Sequence, residues 1–141
     1  AIIGKVIGYS KNDLVAPWTA EEKKLYAAFA KAHNDNVLKG VTPQQVLRLQ
    51  RYAQYVEDYE TMYALYAKES MRKNYEEWRA TASLSDTKQQ LIYEATLASE
   101  MTLNEETSNL ETPSGKPFSF GMTEENGVWK VVYSTIKTIY Q

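Results

Sequence analysis

Apolar residues recur at helical spacing through the first half of the chain and at alternate positions through the second. Leu25, Tyr26, Phe29 and Ala32 give the inner face of a helix over about 20–33. Thr19 followed by Glu22 forms a capping box, in which each side chain satisfies a free amide at the helix start. His33-Asn34-Asp35-Asn36 stop that helix, and Gly40 closes the connection. Thr42-Pro43 with Gln45 is a second start signal, since threonine caps and proline suits the first helical position. The helical pattern then runs through Val46, Leu49, Tyr52, Val56, Tyr59, Tyr63 and Tyr66. Asp58 interrupts it, because aspartate competes for nearby amides and favours a cap over a helix interior. The spacing therefore predicts two helices, about 43–56 and 58–68, joined by a kink or short break. Asn74 with Glu77 opens a further short helix that carries Tyr75 and Trp78 to about residue 82, where Ser83-Leu84-Ser85-Asp86 ends it.

The period then changes. Leu91, Tyr93, Ala95, Leu97, Met101 and Leu103 alternate with Glu94, Thr96, Glu100 and Thr102, which predicts a long half-buried strand that must bend. Residues 104–117, with Pro113, Gly115 and Pro117, read as a polar loop. Phe118, Phe120 and Met122 alternate again, and Asn126-Gly127 marks a two-residue hairpin turn. Val128 to Tyr133 forms the returning strand, extended by Ile136, Ile139 and Tyr140. At the front, Ala1 to Tyr9 reads as a first strand or ordered arm. Helices followed by antiparallel strands predict an α+β domain with N-terminal helices packed on one face of a curved sheet.

Five tyrosines, Tyr52, Tyr55, Tyr59, Tyr63 and Tyr66, are nearly half of the chain's eleven. On one continuous helix they would share a sector roughly 80° wide. Phenol rings are apolar bodies with polar tips, so the line suits a core seam, a pocket wall or a docking face. Asp58 divides it, which favours core packing over a continuous binding stripe.

Composition narrows the chemistry. The 141 residues are one domain's worth, 43% hydrophobic and 24% charged. A net charge of −2 and only four arginines, with no basic patch, argue against nucleic-acid binding. Cys 0 excludes disulfides, thiol nucleophiles and thiolate metal sites. No run approaches the roughly 18 apolar residues of a membrane span. The chain opens at Ala1, so membrane attachment is expected only through a segment before it.

Leu38-Lys39-Gly40-Val41-Thr42-Pro43, then Tyr52-Ala53 and Asp58-Tyr59-Glu60-Thr61-Met62-Tyr63-Ala64-Leu65-Tyr66, form a recognisable succession. It resembles the helical opening of NTF2-like domains of extracytoplasmic proteins of Gram-positive bacteria. Gly127-Val128-Trp129-Lys130-Val131 is similar to the closing strand of those modules. The N-terminal domain of methicillin-resistance penicillin-binding proteins is similar in outline. The resemblance covers residues 38–141 as the core of a single domain, with 1–37 as an added arm and helix. Glu57 departs from it, standing where these modules usually carry glycine, which leaves room for one continuous bent helix.

The resemblance implies a cone between the second helix and the sheet. Tyr59, Tyr63, Tyr66, Trp78, Tyr93 and Trp129 would line it, as core or as the wall of a pocket for a sugar, lipid or peptide. Enzymes of such a fold rely on a buried acid, often with His or Tyr. His33, the only histidine, lies at a helix end outside the matched region, where it serves the terminal carbonyls. Glu94 and Glu100 read as solvated, and Glu94 becomes a general-base candidate only if its side of the chain faces the cavity. Glu105-Glu106 and Glu124-Glu125 lack the spaced oxygens of a calcium loop, and Ser114-Gly115-Lys116 lacks the context of a phosphate loop. No cofactor, metal or catalytic residue is expected. The expected function is a non-catalytic extracytoplasmic accessory or binding module, with an unidentified protein or small ligand as partner. An enzyme or carrier using the cavity, and an assembly module that docks another chain or a second copy, are the alternatives.

Overall fold

In the computed structural model the described residues are 17–112 and 119–133. The arm at 1–9, the loop residues Pro113 to Pro117, Phe118 and the strand extension through Ile136, Ile139 and Tyr140 lie outside them. The three capping boxes form as the sequence predicts, and each sets a helix start. Helix α1 spans Ala20–Ala32, with Thr19 Oγ1 accepting from the Glu22 amide at 3.0 Å and Glu22 Oε1 accepting from the Thr19 amide at 2.8 Å. His33, at φ 53°, ends it. Helix α2 spans Pro43–Tyr55 behind Thr42 and Gln45, and is buried over most of its length.

The break after α2 is sharp. The Glu57 amide donates to Gln54 O at 3.0 Å and the Asp58 amide to Ala53 O at 2.8 Å, which is the Schellman pattern of a helix end. It needs a left-handed residue, and Glu57 takes that conformation at φ 62°. Asp58 then caps helix α3, Tyr59–Ala64, by accepting from the Thr61 amide at 3.2 Å. This helix is shorter than the predicted 58–68, because the chain turns at Leu65 to join the sheet. Helix α4, Tyr75–Thr81, follows its Asn74–Glu77 capping box.

The long strand expected over 91–103 is a helix. Helix α5 covers Lys88–Ala98, and only Thr102–Asn104, strand β1, is extended. Thr87 caps α5 by accepting from the Gln90 amide at 3.1 Å. Leu91, Ile92, Ala95 and Ala98 form its buried face, while Tyr93 is 43% exposed. Leu91 and Ala95, four apart, fit an alternating strand and a helical face equally, and Leu97 joins the alternation because the helix is buried on more than one side.

Strand β2, Asn109–Glu111, occupies part of the expected loop, entered through Ser108 at φ 59°. Strands β3, Ser119–Glu125, and β4, Val128–Val131, form the hairpin, with Asn126 and Gly127 at φ 55° and 80° as its turn requires. The sheet is antiparallel in the order β1-β2-β3-β4. Facing pairs Leu110↔Phe120 and Met122↔Val131 put buried side chains toward the helices. The described domain is thus α+β, with α2 between α5 and β4.

Beyond β4 the sheet is met by the chain leaving α3. The Ala67 amide donates to Val131 O at 2.7 Å, and the Val131 amide to Leu65 O at 3.0 Å, a short parallel bridge. Lys130, 1% exposed, reinforces this seam by donating to Ala64 O at 3.0 Å and pairing with Asp35 at 3.2 Å.

Candidate functional site

The break at Asp58 separates the tyrosines into two groups. Tyr52 and Tyr55, with centroids 5.1 Å from Trp18, belong to a small cluster that also holds Ile92 and Ala95. Tyr63 and Tyr66 surround Trp78 at 5.4 and 6.0 Å. Between the groups, Tyr59 lies beneath the Arg79 guanidinium, 4.2 Å from its centroid.

A cavity of about 360 Å³ opens where α2, α3, α4 and α5 converge above β3. Arg51 and Gln54 of α2, Met62, Tyr66, Trp78, Gln90 and Glu94 of α5, Phe120 and Tyr133 line it. Residues Ala82 to Asp86, which join α4 to α5, form one wall. Of the six side chains expected at a pocket, Tyr66 and Trp78 are therefore brought to this cavity. Tyr63 instead borders a smaller recess of about 140 Å³ with Tyr66, Lys68 and Met71, and its hydroxyl donates to Lys73 O at 2.6 Å. Tyr59, Tyr93 and Trp129 line neither. Tyr93 is turned away because residue 93 lies on the outer side of a helix, and Trp129 packs half-buried at the rim of the main core.

The charged groups of the cavity were not legible as a site. Arg51 Nη1 donates to Glu94 Oε1 at 2.8 Å and Arg51 Nη2 to Gln50 Oε1 at 2.6 Å. Gln90 Nε2 donates to Glu94 Oε2 at 3.0 Å. Glu94, read from the sequence as solvated, is 4% exposed, because helical geometry turns it toward α2. The capping signature Thr87-Lys88-Gln89-Gln90 could have revealed this helix, and with it the inward positions 90 and 94.

Asp86 stands differently. Its carboxylate lies 3.8 Å from Arg51 Nη1, too far for a hydrogen bond, and it accepts none among the described residues. Burial, with the Glu94 charge beside it, pushes the Asp86 carboxyl above its ordinary value of 3.8, while Arg51 pulls against the rise. Burial likewise pushes the Tyr66 phenol up. Two donors of lining residues, Arg51 Nε and Trp78 Nε1, are closed off from solvent and make no hydrogen bond among the described residues.

His33 belongs to another network. Its Nε2 lies 2.9 Å from Thr61 Oγ1, and Tyr26 Oη donates to Asp58 Oδ2 at 2.5 Å. These contacts fasten α1 to the start of α3, away from the cavity. Among the described residues, no three His, Asp or Glu side chains gather as a metal site, and no helix is long and apolar enough to cross a membrane. No protein-family model, curated protein or solved structure matches the chain.

Proposed function

We propose that this domain is a non-catalytic small-ligand-binding module, NTF2-like in plan and extracytoplasmic in placement. The observation that carries the binding role is the cavity of about 360 Å³, in which apolar walls meet polar groups that have no partner among the described residues. That volume falls within the range of about 300–1,000 Å³ usual for ligand pockets. The NTF2-like plan draws on the helix break at Glu57-Asp58 and on the hairpin strand carrying Gly127-Val128-Trp129. Helix α5 stands where the resemblance implies a strand, so the sheet is short relative to that plan.

A fragment screen by ligand-observed NMR tests the role. Hits should lose their signal on Ala82→Phe, which puts a ring into the cavity wall, in a variant whose circular dichroism matches the parent. Absence of hits, or hits indifferent to that change, would overturn the reading.

Asp86 favours one second reading, an acid–base enzyme in which a carboxylic acid with a raised pKa moves a proton. It requires a substrate whose turnover disappears in Asp86→Asn while its binding persists.

A further inference from the structure

Which ligand the cavity takes follows from what its wall leaves unpaired. Arg51 spends its charge on Glu94, so the remaining formal charge of the lining is that of Asp86. An anion entering there would face two carboxylates. A bare cation would be placed beside the Arg51 guanidinium and two donors that need acceptors. A hydroxyl group escapes both conflicts, since it donates and accepts. Several hydroxyls on one ring serve Asp86 and the donors together, and the ring's carbon face meets Met62, Phe120 and Tyr133.

We infer that the ligand is a neutral polyhydroxylated ring, of about one or two sugar units, with Asp86 accepting from it and Trp78 Nε1 and Arg51 Nε donating to it. This rests on the binding role proposed above. Trp78, 1% exposed, and Arg51, 7% exposed, both line the cavity, and their Nε1 and Nε atoms are closed off from solvent while it is empty. For a ligand to reach them a wall of the cavity must yield, and the wall formed by the Ser83–Asp86 strap is the least tied. Among the described residues it makes no hydrogen bond, and the Arg51–Asp86 approach at 3.8 Å is its only polar tie. Unpaired buried donors are costly to the empty protein, about 1–3 kcal/mol each. A ligand that supplies acceptors offsets that cost, which gives the site its preference for oxygen-rich molecules.

The test titrates the full chain with glucose, N-acetylglucosamine, maltose and myo-inositol, using calorimetry and saturation-transfer NMR, with glucuronate and glucosamine as charged counterparts. At least one neutral compound should bind, with its anionic or cationic counterpart tenfold or more weaker. Asp86→Ala, at a side chain 44% exposed and with circular dichroism matching the parent, should weaken binding about tenfold. The Trp78 indole N–H resonance of the unsubstituted protein should shift on saturation, a readout that does not depend on a variant folding. Binding unaffected by Asp86→Ala, or an unmoved Trp78 resonance, overturns the assignment. If no neutral compound binds while other fragments occupy the cavity, the sugar class fails and the binding role stands. If nothing occupies the cavity, both fail.

Discussion

Arg51 and Glu94 meet at 2.8 Å across the interface of α2 and α5, with side chains 8% and 5% exposed. The pair joins the helices that enclose the cavity, with Gln50 accepting from Arg51 Nη2 and Gln90 donating to Glu94 Oε2. Desolvating two charges offsets much of their attraction, so the pair adds little net stability while it is whole. Breaking it is another matter. Glu94→Ala should cost about 2–4 kcal/mol in urea unfolding, because buried Arg51 keeps only the half-exposed Asp86 carboxylate 3.8 Å away. Replacing both, as Arg51→Met with Glu94→Leu, should recover most of that loss. A cost below about 1 kcal/mol for Glu94→Ala would mean that water reaches the pair.

Glu57 is the second test. It holds a left-handed backbone at φ 62°, which a side chain disfavours and glycine does not. Its amide and that of Asp58 make the closing bonds of α2, so the conformation is imposed by the helix end rather than by the side chain. Glu57→Gly should leave stability unchanged or raise it by up to about 1 kcal/mol. Glu57→Val should lower it by about 1–2 kcal/mol, because a β-branched residue fits that region worst. Thermal unfolding of the three proteins gives the order. Valine equal to glycine would remove the backbone argument.

Local chemistry made much of this fold legible. Thr19/Glu22, Thr42/Gln45 and Asn74/Glu77 set three helix starts correctly, since a cap acts within four residues and needs no tertiary context. Asn126-Gly127 fixed the hairpin for the same reason. The region 88–98 reads as a strand because burial on several sides of a helix wedged against neighbours blurs its period: Leu91 and Ala95 satisfy either spacing, and Leu97 is buried on another side of the helix. The cavity was half legible. Aromatic Tyr66 and Trp78 follow from the helical pattern, but Arg51, Asp86 and Glu94 come together from α2, the strap and α5. Their meeting is set by how α5 packs on α2, which no local signal specifies.

Acid should loosen the attachment of α1. Burial pushes the Asp58 carboxyl up, but the hydrogen bonds from Tyr26 and Thr61 outweigh it and hold the group below its ordinary 3.8. Glu22 follows the same pattern, with burial overcome by the hydrogen bond from Arg48, the Thr19 amide and the Arg48 charge, so that it lies below 4.5. A lowered folded pKa gives stability that is present above the ordinary value and lost as pH falls through the folded one. Asp86, raised in the folded state, has the opposite sign: its contribution is present below 3.8 and lost as pH rises through the folded value. Stability measured by urea unfolding should therefore fall as pH drops below about 4. Asp58→Asn keeps a helix cap and should flatten that acid limb, with a loss of about 1–2 kcal/mol at neutral pH from the weaker Tyr26 bond. Asp86→Asn should leave that limb in place and remove the opposing gain in stability, which Asp86 makes only between its raised folded value and 3.8. Identical limbs in the parent and Asp58→Asn would show that the carboxylate does not hold α1 in place through its charge.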